Sequence, residues 1–100
     1  MAVLLSSKTE QRLLAIFPDP RDRDQARWLL EHECAEDLPL WNNATATGLE
    51  RIRFAVLKLS GSSLDSLIDA VSLAQIDWRD ALVAAGFADD VNAHLAWHPG

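Results

Sequence analysis

The residues with the widest chemical reach in this chain are its histidines. His94 and His98 are four apart, so one continuous helix would carry both on the same face, and Asp90 extends that row by a further turn. Neutral imidazoles and a carboxylate are ligand types for a zinc-like ion, and His32 or Cys34 is available from an earlier segment to complete a shell. Two features count against this. His98 stands directly before Pro99, where a helix frays, and His32 and Cys34 are two apart, which turns them to different faces. The ordinary place for such histidines is the surface or a helix C-terminus, where a cationic imidazole meets the helix dipole. Asp90, His94 and His98 are therefore the metal-ligand candidates of a second reading, and the sequence calls for no cofactor.

Cys34 is the single cysteine, so no disulfide forms within the chain, as suits a reducing cytoplasmic setting. It falls on an apolar stripe with no glycine-rich turn beside it, the placement of a buried, inert thiol and not of a nucleophile. Phosphate cradles, paired CxxC motifs, HExxH and serine-nucleophile elbows are all missing from the sequence, and an enzyme is not expected.

The acids Glu31, Glu33, Glu36 and Asp37 have no interleaved base and gather toward a helix C-terminus, which the macrodipole disfavours. Directly after them come Leu38, Leu40 and Trp41 in an irregular stretch containing Pro39. An apolar anchor rimmed by charge is the usual anatomy of a protein-binding face, so Glu33, Glu36, Asp37, Leu38, Leu40 and Trp41 are the protein-binding candidates. Their ordinary role is a solvated charge run and an aromatic plug sealing the core. Arg51, Arg53 and Lys58 precede a glycine turn and a further helix, the order of a DNA-reading helix-turn-helix. That second helix offers Asp65 and Asp69 and no base, so it repels phosphates and cannot donate to guanine; nucleic acid is not expected as a partner.

The elements that must position these residues follow from caps, stripes and stops. Ser7 with Glu10 forms a capping box for a helix over 8–17 carrying Leu13, Leu14 and Phe17. Asp19 caps a second helix with Pro20 in its first turn and a stripe of Ala26, Leu29, Leu30 and Cys34, ending near Ala35. Thr47 with Glu50 opens a third helix, about 48–60, with Leu49, Ile52, Val56 and Leu59; Gly61 closes it. Ser62 or Ser63 caps a fourth with Leu64, Leu67, Ile68, Val71 and Ala74. Asp77 caps a short fifth with Trp78, Leu82 and Ala85, closed by Gly86 and Phe87. Asp89 caps a last helix with Val91, Leu95 and Trp97. No segment alternates apolar and polar residues over strand length.

The 100 residues fit one helical domain, 1–100, with the order of residues 1–6 left open. The fold class is all-α, a compact bundle of five to six short helices. The opening apolar run is too short for a signal peptide, and no stretch reaches the ~18 apolar residues of a membrane span. Net charge is −6, which repels anionic lipid as well as nucleic acid at long range.

The stretch Asp77-Trp78-Arg79-Asp80-Ala81-Leu82-Val83-Ala84-Ala85-Gly86-Phe87-Ala88-Asp89-Asp90, running on to His94 and Trp97, resembles a segment of small bacterial helical proteins to which no activity is attached. Phe54 through Gly61 is similar in the same way. The resemblance implies a bacterial cytoplasmic origin and carries no site residues. Together these features lead to a non-catalytic protein-interaction module whose partner is another protein or a second copy, with a small metal-binding protein as the alternative.

Overall fold

Ser6 opens the helical structure. Its extended backbone and side-chain oxygen, which accepts from the Thr9 amide at 3.2 Å, satisfy one of the donors a helix start leaves orphaned. The cap is thus Ser6, one residue before the serine expected, and the helix α1 is Ser7–Ile16. Glu10 does not reach back to close a capping box. It takes a bidentate bond from Arg27 of the next helix at 2.9 Å, a geometry that a guanidinium satisfies better than a backbone amide. The computed structural model describes residues 4–34, 46–90 and 93–97, the side chains of 46–48 excepted.

Asp19 accepts from the Arg21 amide and starts α2, Pro20–His32, with proline in the first turn as the sequence predicts. The third helix, α3, is Ala46–Ser60, so Thr47 lies inside the helix and not at its cap. Ser63 caps α4, Leu64–Ile76, and Asp77 caps α5, Trp78–Ala85. A final single turn, α6, is Ala93–Ala96. Among the described residues there are six helices and no strand, the all-α bundle expected. None of these helices is long and apolar enough to cross a membrane.

The α3 helix is the axis of the fold. It packs on α1, α4, α5 and α6, while α2 lies against α1 and α4. A helix surrounded in this way must be apolar on more than one stripe. Ile52 and the run from Phe54 through Leu57 are accordingly buried, where the sequence showed only Leu49, Ile52, Val56 and Leu59 at helical spacing. The other core stripes arrive from one side each: Leu13, Ile16 and Phe17; Ala26, Leu30 and Cys34; Leu67, Ala70, Val71 and Ala74; Ala81, Leu82 and Ala85. Each fully buried large aliphatic side chain contributes roughly 1.5–3 kcal/mol. Ile68, placed on the core stripe of α4 from its spacing, is instead 47% exposed.

Two left-handed turns close helices. Gly86 (φ +80°) ends α5, and the Phe87 amide returns to the Leu82 carbonyl at 2.9 Å while its ring enters the core. Gly61 (φ +56°) and Ser62 (φ +70°) join α3 to α4.

Candidate functional site

Of the protein-binding candidates, Glu33 lies among the described residues; Glu36, Asp37, Leu38, Leu40 and Trp41 lie outside them. Glu33 follows the last turn of α2 and is half-buried. Gln75 of α4 holds it with one amide group, donating to the Glu33 carbonyl at 3.0 Å and to its carboxylate at 2.9 Å. The two residues close one end of a cleft of about 190 Å³ between α2 and α4, whose walls include Leu29, Ile68 and Val71. The outer faces of the same two helices carry three large exposed apolar side chains: Trp28 at 51%, Ile68 at 47% and Ile76 at 75%. Trp28 stacks on His32 one turn later, with ring centroids 4.7 Å apart, which holds the indole flat on the surface of α2. Trp28 directly precedes Leu29 of the α2 stripe, and the neighbours of α2 place it on the solvent side.

Of the metal candidates, Asp90 is exposed, His94 is fully buried, and His98 lies outside the described residues. The His94 ring does not face along an open helix surface. It is wedged edge-on against Phe54 (5.1 Å between centroids) and Phe87 (6.4 Å), with Nε2 3.8 Å from a carboxylate oxygen of Glu50. Among the described residues no group of three His, Cys, Asp or Glu side chains could hold a metal ion.

Glu50 joins a polar cluster that sequence spacing did not bring together. Its other oxygen accepts the Ser6 hydroxyl at 2.7 Å, and Ser6 and Thr9 share a hydrogen bond of 2.9 Å. The order serine, carboxylate, imidazole is wrong for acyl transfer, because the imidazole must lie between the other two to take the hydroxyl proton. Arg53, one turn after Glu50, is 3% exposed. It donates through Nε to the Cys34 carbonyl at 3.0 Å and through Nη1 to the Leu4 carbonyl at 3.2 Å. Burial lowers its pKa from the usual guanidinium value, opposed by the neighbouring Cys34 and Glu31. Burial likewise pushes the Cys34 thiol up to about 12, with Arg53 pulling the other way, so the thiol stays protonated and inert. Glu50, Arg53, Ser6 and Thr9 border a hollow of about 240 Å³ under residues 4–6. These groups bind the N-terminal segment to α3, and they answer to one another instead of converging on a reacting atom.

Lys58 and Arg51 of α3 are committed to backbone acceptors of the chain itself. Lys58 donates to the Ala85 carbonyl at 2.8 Å and lies 5.0 Å over the Phe87 ring. Arg51 donates to the carbonyls of Phe87 and Ala88. Both therefore satisfy acceptors at and beyond the C-terminal end of α5, where the dipole favours cations. On α4, Asp65 and Asp69 are exposed, so the helix in the recognition position of a helix-turn-helix presents carboxylates.

No protein-family model, curated protein or solved structure matches the chain, and the functional reading rests on these residues themselves.

Proposed function

We propose that this protein is a non-catalytic protein-interaction module whose binding surface is formed by the outer faces of α2 and α4. The observation that carries this is the cleft between those two helices, walled by Leu29, Ile68 and Val71 and ending at Glu33, with Ile68 exposed at its edge and Trp28 and Ile76 exposed on the same two helices. A scattered exposed apolar side chain is ordinary, whereas one that borders a concave surface, as Ile68 does, marks an interaction site. Tryptophan is also the residue most enriched among binding hot spots. Two features support the non-catalytic part: the sequence holds no catalytic motif, and Glu50 lies between the Ser6 hydroxyl and the His94 ring, the wrong order for acyl transfer.

The test compares two tagged proteins in the lysate of the native host. Ile68→Ser removes apolar contact from a half-exposed position and leaves the core stripe of α4 untouched, and circular dichroism checks that it folds. One stoichiometric protein retained by the parent chain and lost by Ile68→Ser is the expected result. A clean eluate from the parent chain, or a partner held equally by both, overturns the proposal.

A further inference from the structure

Resting on that interaction surface, we infer that its occupant is a basic amphipathic helix and not a second copy of this chain. The warrant is charge. Helical spacing puts Asp65 one turn before Ile68 on α4, and Asp69 follows Ile68 directly; both are exposed. On α2, Asp22 stands seven residues before Leu29 and so shares its face, and Glu33 closes the cleft. Among the described residues, no lysine or arginine pairs with any of these four carboxylates.

The nearby cations are turned elsewhere. Arg27 is held by Glu10 and Asp24, Arg23 donates to the carbonyls of Phe17 and Pro18, and Arg79 pairs with Asp77. Arg21, exposed in the first turn of α2, is the exception. Ile68 and the cleft beside it are therefore flanked by acids on both helices.

Such a surface discriminates among occupants. A second copy brings the same acids and a net charge of −6, so like charges would face one another across the contact. Lysines and arginines flanking an aliphatic row would pair with these carboxylates at the rim and speed encounter. The cleft of about 190 Å³ is somewhat larger than the ~150 Å³ that accommodates a benzene-sized group, room for one leucine-like anchor. A helix laid along α2 and α4 would place that anchor between Leu29 and Ile68, the helix-in-groove mode.

The probe is a displayed library of helical peptides, panned on the whole immobilised protein at low salt. The most enriched peptide is then measured in solution by fluorescence anisotropy against the parent chain, Ile68→Ser, and the pair Asp65→Lys with Asp69→Lys. Enriched sequences should carry lysine or arginine beside leucine or isoleucine at helical spacing. Affinity should fall about tenfold with Ile68→Ser, as for the loss of a central apolar contact. It should fall again with the lysine pair and with rising salt. Enriched peptides with acidic or uncharged flanks that still lose affinity with Ile68→Ser would overturn the basic-helix inference and leave the interaction surface standing. Dimerisation of the protein in sedimentation, abolished by Ile68→Ser, would overturn it in favour of a second copy. No enrichment at all would remove both the inference and the surface it rests on.

Discussion

His94 Nε2 lies 3.8 Å from Glu50 Oε2, and the opposite oxygen of that carboxylate accepts the Ser6 hydroxyl at 2.7 Å. A single side chain on the central helix thus touches groups from the two ends of the described chain. The consequence is mechanical. The α6 turn has four residues, far short of what holds a helix together alone. It stays in place because His94 fills the space between Phe54 and Phe87, and because Arg12 of α1 donates to the Trp97 carbonyl at 3.2 Å.

His94→Ala should therefore destabilise the whole protein, by about 2–4 kcal/mol, the range for emptying a well-packed core position. Urea unfolding gives the figure, and hydrogen exchange across 93–97 should show that turn losing protection first. An unchanged urea midpoint would mean that His94 does not hold α6.

Ser6→Ala should cost about 1 kcal/mol, the ordinary loss for a helix N-cap. Combined with Glu50→Ala in a double-mutant cycle, it should show a coupling of about 0.5–1 kcal/mol, because the two side chains share a hydrogen bond. Additive costs would reduce Ser6 to a local cap without a role in tying the N-terminal segment to α3.

Much of the fold was legible because local signals agreed. Asp19 with Pro20, Ser63, Asp77, and Gly86 with Phe87 each act within one or two turns, and each appears where the sequence placed it. Two things were hidden, for one reason: burial depends on what lies across the gap. Arg53 reads as a surface cation until α3 is seen enclosed, with the carbonyls of Leu4 and Cys34 close enough to receive its donors. Ile68 reads as core until Leu67 and Val71 are seen to fill the interface and leave it at the cleft. Of the residues in the proposed surface, Glu33 stands out in the sequence by its acidic company, while Trp28 and Ile76 carry no periodic mark that sets them apart from core residues.

The two left-handed turns that close α3 and α5 offer a pair of substitutions with opposite signs. Ser62 sits at φ +70°, a left-handed backbone that a residue with a Cβ adopts at a cost of roughly 1–2 kcal/mol. Ser62→Gly should relieve part of that and raise the melting temperature. Gly86→Ala should lower it: the added Cβ would meet only the Lys58 Nζ at 3.9 Å, so the penalty is the backbone strain at φ +80° and not a clash. Thermal melts of the two variants beside the parent chain decide the matter, and a shift of the same sign in both would contradict it.

The buried thiol gives a pH dependence whose sign is fixed. Desolvation raises Cys34 to about 12 from its ordinary 9.0, with Arg53 opposing. Below pH 9 the thiol is protonated in folded and unfolded chains alike and adds no slope. Above pH 9 the unfolded chain releases a proton that the folded chain keeps, so stability falls as pH rises, approaching about 1.4 kcal/mol per pH unit until the folded thiol titrates near 12. Cys34→Ala removes this contribution. Its urea midpoint starts lower, because a core atom is gone, but from about pH 9 to about pH 11 it should decline less steeply than that of the parent chain. Comparing slopes and not midpoints separates the proton effect from the cavity, and also cancels whatever is common to both proteins. Parallel slopes would show that Cys34 reaches solvent in the folded protein, and the enclosed contact between its carbonyl and Arg53 would then have to be abandoned with it.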